Sequence, residues 1–549
     1  MSMPSPATSP RHSPLLSALL RWGPPLTLVI LAIAAHAVSL GGGFFWDDYS
    51  LAQGDLLNRP LAEFWKYPPT IALEEHYWPV TYTGFWLLHK LSGLDPFTFR
   101  FANILLHAAN VLLVFLLLRQ LRIGSAWLGA ALFAVHPVHV ESVAWIIELK
   151  DVLSAFWLLL ATVAFVQQNS LQSPALRAVG LIAAGTLYVL AVWSKTVAIG
   201  WPVAMGVLLA AYLPDRIKKH DIALTVYVFL GAILLWLDLR VTARVAHATI
   251  SLSAVERLEL VGRTFWWYVA KLIWPVPLLA LYPRWQLGGS SFTHFWPSVA
   301  LFAAAGGATI CWFRLPSARP LVAWLVWFVI FLGPTLGIIP HSFMVHSFVA
   351  DRYLYLASMA PCALAAMGYT YVSKRYAGQR LLRLKLAGFA AVVLTIYFSL
   401  SMMHSALYAQ PTKLLRHTLA HNPNAANLLV MLGATLAQRG ELEESAQCFR
   451  KAKTLAPDEL AARANLAVIS WQLGDVETAL EETSAVLGVL PRHSLSWSVY
   501  AAALAAKGKT EEAQRAARRA LELNPEQQLA RKVLQGEITT APLPKRRKN

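Results

Sequence analysis

The chain has 549 residues, 56% of them hydrophobic and only 14% charged, against about a quarter charged in a water-soluble domain; a mean hydropathy of +0.48 excludes an ordinary soluble enzyme. The net charge of +17 does not mark a nucleic-acid binder, because the basic residues punctuate apolar runs and do not share one face. Three cysteines make no disulfide framework: Cys311 and Cys362 fall in apolar segments and Cys448 in a repeat region.

The N-terminal stretch, Met1 to Pro14, is rich in Pro and Ser, and the apolar run after it has no small-residue cleavage motif. It reads as a retained membrane helix. Eleven spans fit the chain, near residues 24–41, 101–118, 125–143, 152–167, 178–194, 197–213, 221–238, 296–313, 320–338, 354–373 and 386–405. Each is about long enough to cross the roughly 30 Å of bilayer hydrocarbon. Residues 262–283 are apolar too, but Lys271, Pro275 and Pro277 interrupt them, so this stretch is expected to be re-entrant or interfacial. With Arg11 and Arg21 in the cytoplasm, Arg119, Arg122, Arg177, Arg216, Lys218, Lys219, Arg314, Arg319 and the basic cluster from Lys374 to Lys385 all fall on that side. Asp47, Asp48, Glu74, Glu75, Glu141, Glu148 and Asp351 fall on the other. An odd number of spans places the C-terminal repeats outside. The expected location is therefore the inner (plasma) membrane, with membrane lipid around the bundle and the polar motifs facing outward.

Asp47 and Asp48 follow the first span within residues 45–50 (FWDDYS). Paired carboxylates at a membrane face suit acid–base work, one taking a proton from a hydroxyl while the other holds a cation or positions the nucleophile. The same pair suits a plain helix cap. Trp46 beside it serves equally as a sugar-stacking ring or as part of an interfacial belt. In residues 136–151 (HPVHVESVAWIIELKD), His136, His139 and Glu141 have spacing compatible with a divalent metal, and Lys150 could pair with Asp151. His-Pro at a helix end is also a common structural feature. Arg352, in residues 351–356 (DRYLYL) with Tyr355, offers a planar fork of donors to a phosphate, or else anchors the helix end through Asp351. Lys195, in the short connection 194–197, is a second candidate phosphate contact or a snorkelling side chain.

The end of the chain is periodic. Pro423, Pro457, Pro491 and Pro525 recur every 34 residues, as do Gly440, Gly474 and Gly508. That period is the tetratricopeptide repeat, two antiparallel helices per unit stacked on their neighbours. The glycine should end the first helix of each unit, and small residues five positions on (Ser445, Ala479, Ala513) should sit where the helices approach closely. Residues 411–423 read as a preceding half-repeat. A groove of Asn427, Ala434, Ala461, Trp471 and Ser498 is expected to receive a protein or peptide, and the basic residues 545–548 a solvated tail.

Taken in order, residues 44–50 (FFWDDYS), 78–121, 135–154, 351–356 and the repeats resemble the transmembrane and tetratricopeptide-repeat-containing proteins. These share the C-type glycosyltransferase fold with the protein O-mannosyltransferases. The resemblance implies an all-α, polytopic bundle followed by an α-solenoid: a cytoplasmic segment 1–23, a glycosyltransferase domain 24–408, repeats 409–536 and a basic tail 537–549. It implies an inverting transfer of sugar from a polyprenyl-phosphate donor to a hydroxyl acceptor, with Asp47 and Asp48 as the acidic pair, Asp48 as base, and Arg352 on the donor phosphate. The chain departs from the family at Leu356-Ala357-Ser358, where proline is frequent, at Glu148, where glycine-arginine is common, and in its shorter array. A non-catalytic scaffold recruiting envelope proteins is the competing expectation. A transporter would need ionisable groups near mid-bilayer, whereas these gather at one face.

Overall fold

The computed structural model describes residues 14–52, 56–67, 76–243, 250–289 and 292–542. Glu74, Glu75 and the basic residues 545–548 lie outside the described residues. The chain is all-α and divides into two compact units, Met1–Leu278 with Arg284–Pro411, and Leu279–Pro283 with Thr412–Asn549.

In the first unit, eight helices among the described residues are long and apolar enough to cross a membrane: Trp22–Gly41, Pro96–Gln120, Ile146–Ser170, Pro174–Ser194, Asp221–Thr242, Phe292–Arg314, Pro316–Thr335 and Arg380–Tyr408. The protein is a multi-pass membrane protein. The three other expected spans are shorter helices. Ala126–Val135 stops at His136-Pro137, where proline cannot donate to the preceding turn. Thr196–Tyr212 begins as a 3₁₀ turn, and Met359–Arg375 has only 17 residues. Residues 262–283 form no single element. Ala254–Ile273 is an amphipathic helix opened by a capping box, in which Ser253 Oγ accepts from Glu256 N at 3.2 Å and Ser253 N donates to the Glu256 carboxylate at 2.8 Å. Past Ile273 the helix ends.

Burial ranks the helices. Pro96–Gln120 and Ile146–Ser170 are mostly buried among their neighbours, whereas Phe292–Arg314 and Arg380–Tyr408 bury few of their side chains. The inner pair therefore supports the polar core, and the outer two present apolar side chains outward. Helix Pro96–Gln120 carries Arg100, Asn103, His107 and Asn110 on one buried face. They meet the irregular stretch 136–148 and the helix that follows it: Arg100 Nε donates to Ala144 O at 3.0 Å and Asn103 Nδ2 to Trp145 O at 3.0 Å, while Asn110 Nδ2 donates to Val152 O, in the helix Leu149–Gln167, at 2.9 Å. Non-helical backbone survives in such a bundle only where protein groups satisfy it, and this polar stripe does so.

In the second unit, helices Ala426–Gln438 and Leu442–Leu455, Leu460–Gln472 and Val476–Val489, and Ser494–Ala506 and Thr510–Leu523 form three pairs, followed by Gln528–Leu534. Gly440, Gly474 and Gly508 stand at φ of 77°, 80° and 76°, the left-handed conformation that ends a helix at low cost for glycine. Ser445 Oγ donates to Gly433 O at 2.7 Å, and a Cβ on Gly433 would lie 2.8 Å from the Phe449 ring, so the paired helices do approach closely there. Fully buried Glu482 accepts from Lys453 and, at 3.0 Å, from Arg463. Helix Pro411–His421 precedes the array and packs Leu419 against Leu429 and Ala462. The short segment 279–283 joins this unit, with Ala280 N donating to Thr418 Oγ1 at 3.4 Å and Asn422 Nδ2 to Leu281 O at 3.3 Å.

Trp471, expected in a peptide groove, is instead only 6% exposed and packs in the apolar core with Ala467, Ala479 and Val499. A large ring in a solenoid gains more between stacked helices than on a face left in water. Ser498 is buried as well, Asn427 and Ala434 are half-buried, and Ala461 is exposed.

Candidate functional site

The site begins where the first span ends. Helix Pro14–His36 gives way to a 3₁₀ turn, Ala37–Gly41, and the chain then runs extended until the turn Trp46–Asp48. Arg100 holds this crossing by donating to the carbonyls of Gly42 and Gly43. Gly42 admits no side chain, since a Cβ there would lie 2.6 Å from Tyr408 O. Trp46 sits at φ 47°, a left-handed conformation unfavourable for a bulky residue, at a cost of about 1–3 kcal/mol. Its ring lies against Trp145, with centroids 5.9 Å apart.

The two aspartates part company. Asp48 is fully buried, and both carboxylate oxygens are engaged: Oδ2 accepts from Phe45 N at 3.0 Å and Oδ1 from Ile147 N at 2.8 Å. Burial pushes its carboxyl up to about 7, against the opposing pull of the two N–H donors and the Arg100 charge. Asp47 is exposed. Asp48 is therefore a clasp between the 45–48 turn and residue 147, and Asp47 is the exposed member of the pair.

Arg352 is built into a second layer. Its backbone N and Nη1 both donate to Glu141, at 2.8 and 2.5 Å, and its Nε lies 3.4 Å from Glu148 Oε1. Its guanidinium sits 4.2 Å from the Phe343 ring centroid and 5.6 Å from that of Trp145. Glu148 also meets Lys150 at 3.5 Å and Lys195 at 4.0 Å. Asp151 takes Lys195 and the Ser142 hydroxyl, the latter at 3.0 Å. Three acids thus face three bases. A cavity of about 60 Å³ opens onto this cluster, lined by Asp151, Ser154, Lys195, Val197, Phe331, Thr335, Arg352, Tyr353, Tyr355 and Leu356. The two expected phosphate contacts, Lys195 and Arg352, share it. Trp145 stands between the cluster and the 45–48 turn, touching Trp46 on one side and Arg352 on the other.

The histidines serve the framework. His139 Nδ1 lies 2.8 Å from Phe133 O and its Nε2 2.7 Å from Ser358 Oγ. His136 Nε2 lies 3.0 Å from Leu272 O while Nδ1 accepts from Val138 N at 3.4 Å. Glu141 is committed to Arg352, so the expected metal-compatible set of His136, His139 and Glu141 does not converge. Among the described residues no three His, Cys, Asp or Glu side chains are grouped to hold a metal ion. His107 Nδ1 meets the Tyr355 hydroxyl at 2.8 Å and Nε2 lies 3.2 Å from Ala134 O, which sets Nε2 as the protonated nitrogen and Tyr355 as donor.

Several residues escaped the sequence reading. Arg100, Asn103, His107 and Asn110 recur at helical spacing along one face of an apolar helix, a pattern that marks buried polar work. Asp238 is another: it accepts from Tyr77 N at 2.8 Å and Thr196 Oγ1 at 2.7 Å and lies 2.9 Å from His76 Nδ1, fastening residues 76–77 beside Lys195. A single aspartate within an apolar helix was the available signal.

A tetratricopeptide-repeat family model matches residues 426–459 and 496–527. A Mus musculus protein named protein O-mannosyl-transferase TMTC3 is 26% identical over 492 residues, covering 80% of this chain and 52% of its own length. The Homo sapiens protein of that name is 24% identical over 524 residues, covering 85% of this chain and 55% of its own. Protein O-mannosyl-transferase Tmtc1 of Drosophila melanogaster is 35% identical over 147 residues, 25% of this chain and 17% of its own. The chain spans about half the length of the two TMTC3 proteins. Bundle, broken-helix site and solenoid define a multi-pass membrane protein with an appended tetratricopeptide-repeat module. Within that class, the chain is a homologue of the transmembrane and tetratricopeptide-repeat-containing proteins.

Proposed function

We propose that the chain is an inverting glycosyltransferase that moves a sugar, mannose by the names of its relatives, from a polyprenyl-phosphate carrier to a Ser or Thr hydroxyl at the outer face of the membrane. The observation that carries this reading is that Trp145 packs against both the turn that bears the Asp47–Asp48 pair and Arg352, which shares one cavity with Lys195. Asp47 takes the proton of the acceptor hydroxyl as its oxygen attacks the anomeric carbon. The new C–O bond forms as the bond from that carbon to the phosphate oxygen breaks, and the electron pair leaves with the lipid phosphate. One displacement inverts the centre. Lys195 and Arg352 stabilise the charge that gathers on the phosphate, while Asp48 positions Asp47 through the backbone. Trp46, held in strain, offers its ring to the sugar.

The test is transfer from a polyprenyl-phospho-mannose to a Thr-containing peptide by the purified protein. Arg352→Lys keeps the charge but loses the fork that spans Glu141 and Glu148; it should raise the donor KM about tenfold or more, a change of about 1.4 kcal/mol. An unchanged donor KM removes Arg352 from phosphate contact, and absence of transfer by the wild-type protein removes the reading. A topology reporter fused after Ala461 should read outside the cell. A cytoplasmic signal would separate the repeats from an outward site and remove them from acceptor recruitment.

A further inference from the structure

The three turn glycines of the repeats are alike in backbone but not in surroundings. A Cβ on Gly440 or Gly508 would meet nothing within 4 Å, whereas one on Gly474 would lie 2.7 Å from Pro542 O. Residues 537–542 follow the last helix, Gln528–Leu534, yet reach back to the turn of the second repeat. Six extended residues cover about 20 Å, enough to run past one intervening repeat. Ile538 packs against the apolar core that contains Val499, Ala502 and Ala530. Ala541 and Pro542 are half-buried, while Thr539 and Thr540 between these two anchors are exposed.

A segment fixed at both ends, free of helix, with hydroxyls outward and proline at the far contact, is placed as a bound peptide would be. We infer that the strip from the last repeat to Gly474 is a docking surface for an extended acceptor segment, apolar residue first, then hydroxyl residues, then Ala-Pro, and that residues 537–542 occupy it as an internal competitor. This rests on the transferase reading for its purpose, since it names the acceptor class, but binding can be measured without donor. Seating of the peptide backbone against a bare glycine explains why Gly474 must lack a side chain for packing as well as for φ.

The test titrates a fluorescent peptide, Glu-Ile-Thr-Thr-Ala-Pro, into detergent-solubilised full-length protein. Ile538→Ser should free the strip and tighten peptide binding about tenfold or more. Adding Gly474→Val to that variant should abolish the gain, while adding Gly508→Val, equally strained but facing open space, should keep it. Equal affinity in wild type and Ile538→Ser overturns the competitor role, and so does a Gly474→Val variant that still binds. Equal loss in both glycine variants overturns the assignment to Gly474. In transfer assays Ile538→Ser should lower the acceptor KM for a peptide of this sequence with kcat unchanged. Peptide binding without any transfer would leave the docking strip standing and sink the enzymatic reading instead.

Discussion

The sharpest prediction separates the two neighbouring aspartates. Asp47→Asn alters an exposed side chain, so its effect on stability should fall within about 0.5 kcal/mol. As the loss of a general base it should lower kcat by about 10²–10⁴. Asp48→Asn places an amide where two oxygens now accept Phe45 N and Ile147 N, at 3.0 and 2.8 Å. One of these loses its acceptor, and an orphaned buried donor costs about 1–3 kcal/mol, which sets the net destabilisation. Thermal unfolding in detergent and kcat at a temperature well below the transition would resolve the pair. Asp47→Asn should be stable and inactive, and Asp48→Asn less stable but partly active. A stable, inactive Asp48→Asn beside an active Asp47→Asn would refute the assignment and return the base role to Asp48.

The same carboxyl gives a pH dependence. Burial holds Asp48 at about 7 in the folded protein, against about 3.9 in an unfolded chain, so between these values the folded state carries the extra proton. The stability tied to this group is full below pH 4 and is lost as pH rises through 7; Asp48→Asn should flatten the fall in thermal midpoint from pH 5 to 8, and an unchanged slope would show that other groups set it. Trp471→Ala should destabilise the repeats by about 3–5 kcal/mol, the cost of a cavity in a packed core, readable as a lowered unfolding transition; a neutral outcome would mean that the ring does not support the stack.

Sequence alone carried the repeats far, because a 34-residue spacing of proline and glycine states a local backbone requirement that the fold then obeys. It failed at Trp471 for the complementary reason. Which face of a helix turns inward depends on the neighbouring repeat, and a tryptophan is compatible with either. The long apolar helices were legible from length and hydropathy, whereas the break at residues 136–148 was not, since the carbonyls of Ala144 and Trp145 are satisfied from Arg100 and Asn103 some forty residues away. The acid pair was visible as a pair. Its division into an exposed and a buried partner is a property of three-dimensional packing around Ile147, on which the dipeptide itself is silent.

The clasp at Ile147 has a mechanical consequence. Its amide holds Asp48, and the next residue, Glu148, touches Arg352, Lys150 and Lys195. Two consecutive residues therefore link the carboxylate turn to the ionic cluster. If an anion enters the cavity and draws Lys195 or Arg352 away from Glu148, the displacement has only the backbone of one residue, Ile147, between it and the turn that carries Asp47. Filling the cavity should therefore be felt at the 45–48 turn, as successive settings of one lever.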